Sequence, residues 1–189
     1  MFTAKTITAL TLAACVSVPL AAETVLTDHN LDQLELMIPK LQQLQQRPQN
    51  NQFNLQQHCD WSKHYQQLSA QEKDKNYQKQ IEQLVKQHGF TPQQFVELSA
   101  KVTWPVLDSI QPALQVSQQA LMFVPAAQRQ NAEKSIRRGQ QYYQTLTGCL
   151  TAEDKTALAR HNDRIMQIAK RLGGVEQLLP AGVANSGRE

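Results

Sequence analysis

Between residues 91 and 125, apolar side chains recur at helical spacing over a longer run than anywhere else in the chain. At steps of about 100° per residue, Phe95, Leu98, Val102, Val106, Ala113, Val116, Ala120 and Val124 fall on one stripe, which Val96, Leu107, Leu114 and Leu121 widen. The pattern predicts one long amphipathic helix. Thr91, Pro92 and Gln94 mark its start: the threonine hydroxyl can accept a first-turn N–H, proline fits where none is needed, and glutamine can reach back. Pro105 and Pro112 lie close to two turns apart, so the bends they cause add on nearly the same side. A stripe this broad requires cover from at least two other helices. Gln93, Glu97, Lys101, Asp108, Gln111, Gln115, Gln118 and Gln119 fill the opposite arc, which is expected to face water, and Trp104 falls within that polar arc.

The same spacing recurs on both sides of this helix. Leu31, Leu34, Ile38, Leu41 and Leu44 give a first helix with Asp28 and Asn30 as caps and Pro39 as an interruption, ending before the turn-rich run Arg47-Pro48-Gln49-Asn50-Asn51. Phe53, Leu55, Cys59, Trp61, Tyr65 and Leu68 carry a short segment tethered by Cys59. Ser69 with Glu72 reads as a capping box for a helix with Tyr77, Ile81, Leu84, Val85 and His88 inside, stopped by Gly89 and folded back on the long helix. Past Pro125, Ala132, Ile136, Gly139, Tyr143 and Leu146 share one side of a helix that Gly148 ends. Thr151 and Asp154 cap a last helix whose face is Leu158, Ile165, Ile168, Ala169 and Leu172, before Gly173-Gly174. With no strand periodicity outside the N-terminal apolar run, the expectation is an all-α, irregular bundle of about five to six helices with a long Pro-kinked central helix.

Composition narrows the class of protein. Of the 189 residues, 29 are glutamine, a helix former without charge, and the formal charge is only +3, so nucleic acid is not expected as a partner. The first 22 residues read as an export signal: Met1 to Lys5 is the positive start, Thr6 to Leu20 the apolar run, and Leu20-Ala21-Ala22 a cleavage site before Glu23. Leu12-Ala13-Ala14-Cys15 competes as a lipobox, with Cys15 then lipidated and the protein anchored in the outer membrane. Otherwise it is periplasmic or secreted. The helical domain then spans 23–179, and 180–189 reads as a disordered tail. Cleavage leaves Cys59 and Cys149, a matched pair expected to close one disulfide in an oxidising compartment, around a loop of about 90 residues.

Motifs for chemistry are few. His58-Cys59-Asp60 with His64 has metal-ligand residue types, but Cys59 is better used on Cys149 and no second ligand pair follows, so neither metal nor cofactor is expected. His88 at a helix end suits the dipole, and His29 and His161 are read as solvent-facing. Glu97 and Asp108 are about three turns apart, too far for paired acid and base work. Arg129, Lys134, Arg137 and Arg138 form a basic group that reads as a solvated face, or as one meeting an anion or lipid headgroups.

Trp104 has two readings. Either the bend at Pro105 tucks it under a neighbouring helix, or it is an exposed anchor ringed by Glu97, Lys101, Asp108 and Gln111, the candidate binding surface. Leu26-Thr27-Asp28, Leu68 to Glu72 and Leu150 to Asp154 resemble, over a few residues, the Leu-Thr-x-x-Gln openings of the Spy and CpxP family of small helical periplasmic chaperones. None has Gln at the fifth position, and helix capping gives the same pattern, so no membership follows. The functional expectation is an exported, non-catalytic binding protein of the bacterial envelope: adaptor, chaperone-like or inhibitor. Its expected partner is another envelope protein, with membrane attachment only through Cys15. The alternative is a carrier of a small apolar or anionic ligand held between curved helices near Trp104 and Tyr142 or Tyr143.

Overall fold

The computed structural model describes residues 24–44 and 59–171. Residues 1–22 with Cys15, the 47–51 linker, Phe53, Leu55, His58, Leu172 and the 180–189 tail lie outside them.

Local chemistry sets the helix boundaries. The Thr27 hydroxyl, not Asp28 or Asn30, accepts the Asn30 N–H and opens α1 (Asp28–Leu44), which continues through Pro39. Asp60 caps α2 (Trp61–Gln71) by accepting from the Lys63 N–H. The expected Ser69–Glu72 box does not form. Ser69 stays inside α2, Glu72 ends that helix, and Asp74 caps α3 (Lys75–Gln87) by accepting from Asn76 and Tyr77. Aspartate at 74 offers its carboxylate directly to the first-turn amides, so α3 starts later than the box would set it. Gly89, at φ 81°, ends α3 as expected, with the Phe90 N–H returning to the Val85 carbonyl.

The reciprocal box of Thr91 and Gln94 opens α4 (Pro92–Ala120), a single run of 29 residues through both prolines. Within it, Thr103, Ser109 and Gln111 donate to the carbonyls of Ala100, Val106 and Leu107. A 3₁₀ turn (Leu121–Phe123) leads to α5 (Ala126–Gly148). Thr151 and Asp154 make the expected capping box for α6 (Ala152–Arg160), but the final helix is two: the chain breaks at His161 and resumes as α7 (Asn162–Arg171). The described residues therefore hold seven helices and no strand.

Helix α4 is the axis. Helices α2, α5 and α7 pack along it, with α3 and α6 against its first half, and α1 lies on α3. Being enclosed on several sides, the first half of α4 buries more than one stripe: Leu98, Val102 and Val106, but also Ala100, Lys101, Thr103 and Leu107. Leu31, Leu34, Met37 and Ile38 of α1, Leu84 and Val85 of α3 and Leu158, Ile165 and Ile168 of α6 and α7 complete the main core, which is closed to solvent. A second cluster, Ala100, Leu107 and Leu146, joins α4 to α5 and is flanked by Trp61, Tyr142 and Tyr143, while Trp104 packs against both clusters.

Candidate functional site

The disulfide forms as expected. Cys59 precedes α2 and Cys149 follows α5, with their Cα atoms 5.3 Å apart. It clamps the two helices that flank α4 and takes Cys59 out of the metal-ligand list. His64 is buried against Trp61, with ring centroids 5.5 Å apart, and the described residues contain no group of three or more metal-ligating side chains.

Of the residues singled out around Trp104, Lys101 is buried, Glu97, Trp104 and Gln111 are half-buried and Asp108 is exposed. Trp104 is half-buried between the two apolar clusters; its ring stacks on Tyr143 at 6.3 Å and its indole N–H donates to Thr147 Oγ1 at 2.9 Å. Through these contacts the indole joins α4 to α5. Tyr143 in turn donates to Asp108 at 2.6 Å; that hydrogen bond to a carboxylate, with burial, raises the phenol's pKa. Asp108 is exposed, and Gln111 is half-buried with its amide on the Leu107 carbonyl. Burial raises the pKa of the neighbouring Tyr142, against a smaller opposite effect from Thr103.

Lys101 departs furthest from its expected place. It is 3 % exposed, because the first turn of α6 closes over that side of α4. Its ammonium lies 2.5 Å from Glu97 and 2.7 Å from Asp154. Asp154 is fully buried and saturated: Thr24 donates to one carboxylate oxygen at 2.6 Å, while the Thr151 N–H and Lys101 share the other. Burial alone would raise the pKa of Asp154. The hydrogen bonds from Lys101, Thr24 and the Thr151 amide, with the charge of Lys101, outweigh it and hold the carboxyl below its usual range. With every oxygen engaged, this node joins residue 24, α4 and α6 instead of presenting a reactive group. The sequence carried one sign of it in the i, i+4 pair of Glu97 and Lys101.

The histidines divide. His29 is exposed as expected, but His161 is buried at the α6–α7 break with Nδ1 3.6 Å from Asp28. His88 caps α3 against Gln33 and Lys40, and burial together with Lys40 lowers its pKa, so the neutral ring is favoured over the dipole-paired cation. A shallow groove of about 220 Å³ lies between α1 and α3, lined by Lys40, Leu44, Gln80, Gln83 and Gln87, away from Trp104.

What the sequence reading missed is the far half of α4. The stripe that is buried from Leu98 to Val106 continues as Ala113, Val116 and Ala120, all exposed, with Val116 at 65 %. Here α4 is paired with α5 through Leu114, Ile136 and Gly139, whose absent Cβ would sit 3.8 Å from Leu114 Cδ1. The two helices make an arm ending in Met122 and Phe123, 68 % and 83 % exposed. Arg129 donates to the Met122 and Val124 carbonyls and braces the turn. The signal was available: residues 109–128 contain no charged side chain. Among the described residues, no helix is long and apolar enough to cross a membrane. No family model matches the chain, and neither a curated protein nor a solved structure matches it.

Proposed function

We propose that this chain is an exported binding protein of the bacterial cell envelope, working as an adaptor, chaperone-like factor or inhibitor without chemistry of its own. The exposed flank of α4 receives another envelope protein. What supports this reading is the continuation of the α4 stripe past the body: Ala113, Val116 and Ala120 repeat the spacing of Leu98, Val102 and Val106, yet stand uncovered. An apolar helix face in water is a standing driving force for association with a second helix. The ionisable groups inside the body support it from the other side, since Lys101, Asp154 and Tyr143 are each engaged by structural partners.

A photo-cross-linking side chain at Val116 tests this in intact cells. The expected result is a discrete protein adduct that is absent when the probe sits at the exposed body position Lys79 and is lost when Ala113 and Ala120 are both changed to Glu. No adduct from position 116, or one indifferent to those glutamates, overturns the reading.

A further inference from the structure

We infer that the end of the α4–α5 arm docks onto an anionic phospholipid surface, with Met122 and Phe123 entering the interface and Lys134, Arg137 and Arg138 meeting the headgroups. The first observation is where the charge lies. Residues 109–148 hold four basic side chains, Arg129, Lys134, Arg137 and Arg138, and one acid, Glu133; the rest of the sequence has fifteen of each sign. The entire formal charge of +3 therefore sits on the arm.

The second observation is geometric. Leu114 and Gly139 meet across the α4–α5 seam, and Ala113, Val116 and Ala120 of α4 and Lys134, Arg137 and Arg138 of α5 are exposed, whereas Arg129 is half-buried against the turn. At 100° per residue each set is turned well away from the seam residues of its own helix, and the turn joins the two helices. A partner on one flank meets the stripe or the basic row. A planar interface that takes in the turn meets its apolar end and its cations together.

Depth agrees with this. At about 1.5 Å per residue, Lys134 stands about 12 Å along α5 from the turn, and Arg137 and Arg138 about 17 Å. An interfacial segment enters by roughly 5–10 Å. Insertion of Leu121 to Pro125 thus leaves the three cations within headgroup reach, given the length of their side chains, or within a Debye length of about 8 Å. A second copy of this chain is a poorer occupant, because pairing two such arms brings like charges together. The inference concerns the tip and is separate from the α4 flank; it also needs no acyl group on Cys15.

Sedimentation of the full exported chain with vesicles tests it. Binding is expected to mixed phosphatidylglycerol and phosphatidylethanolamine and not to phosphatidylcholine, and is expected to weaken with salt. Met122→Ser with Phe123→Ser should reduce it roughly tenfold or more. Lys134, Arg137 and Arg138 all changed to Gln should reduce it roughly a hundredfold. These side chains are exposed, so the fold should survive, and circular dichroism checks it. In a Phe123→Trp variant, anionic vesicles should shift the added emission to the blue. Absent binding, or binding indifferent to the tip and charge variants, overturns the inference. If position 116 gives its protein adduct while vesicles are ignored, the lipid inference falls and the binding function stands; if both fail, both fall.

Discussion

Asp154 shows what a single residue contributes and what its neighbours demand of it. As a cap for Thr151 it was legible from two positions in the sequence, and the capping box is present. Its pairing with Lys101 was not legible, because 53 positions separate them and only the docking of α6 on α4 brings them together. Removing one member of a buried ion pair leaves the other charge desolvated, so Lys101→Met should cost about 3 kcal/mol in urea unfolding. The pH dependence has a definite sign. The carboxyl is held below its usual pKa in the folded protein, so its ionisation stabilises the fold above about pH 3.9, the ordinary aspartate value. That contribution disappears as pH falls through the lower folded-state value. Unfolding midpoints of the unaltered chain and Asp154→Asn should therefore differ at pH 6 and converge in acid. A constant gap across the series would show that the charge of Asp154 is not what stabilises the node.

At the scale of the helix, pattern revealed which faces are apolar but not what covers them. The α4 stripe is core at Leu98, Val102 and Val106 and open at Ala113, Val116 and Ala120, since that outcome depends on which helices dock beside each half. The same limit applies to the polar arc: Lys101 belongs to it by spacing and to the interior by packing. Punctuation was read best where backbone chemistry is unambiguous, as at Thr91 with Gln94 and at Gly89. It failed at His161, where neither proline nor glycine marks the break. The α4–α5 pair offers a direct test of its own packing. Gly139 is helical, and an added Cβ would meet Leu114 Cδ1 at 3.8 Å, ordinary van der Waals contact. Gly139→Ala should therefore stabilise the protein by about 0.5–1 kcal/mol through reduced backbone freedom in the unfolded chain. Gly139→Leu should destabilise it by roughly 1–3 kcal/mol by forcing the helices apart. Equal effects from the two changes in thermal melts would mean that α5 does not approach α4 closely at this point.

For the molecule as a whole, the covalent link decides how the arm is carried. Helix α5 packs on α4, and at its C-terminal end the Cys59–Cys149 bond fastens it to the start of α2 on another side of the same axis. The bridge was foreseeable from cysteine number once export was assumed, but its mechanical role was not, because that depends on α2 and α5 flanking one helix. The loop it closes spans 90 residues, for which chain entropy gives about 4–5 kcal/mol as an upper value. Changing both cysteines to Ser should then lower the melting temperature by roughly 10 °C, as should a reductant acting on the unaltered chain. The loss should be uneven. The main core, with α1, α6 and α7, contains neither cysteine side chain, whereas α2 and the end of α5 lose their tie. Amide exchange in the double-serine protein should rise first at 61–71 and 144–149 and last at 31–38 and 165–169. Uniform acceleration across these segments would instead mean that the bond acts only on the unfolded chain, and that α5 is held to the body by packing on α4 alone.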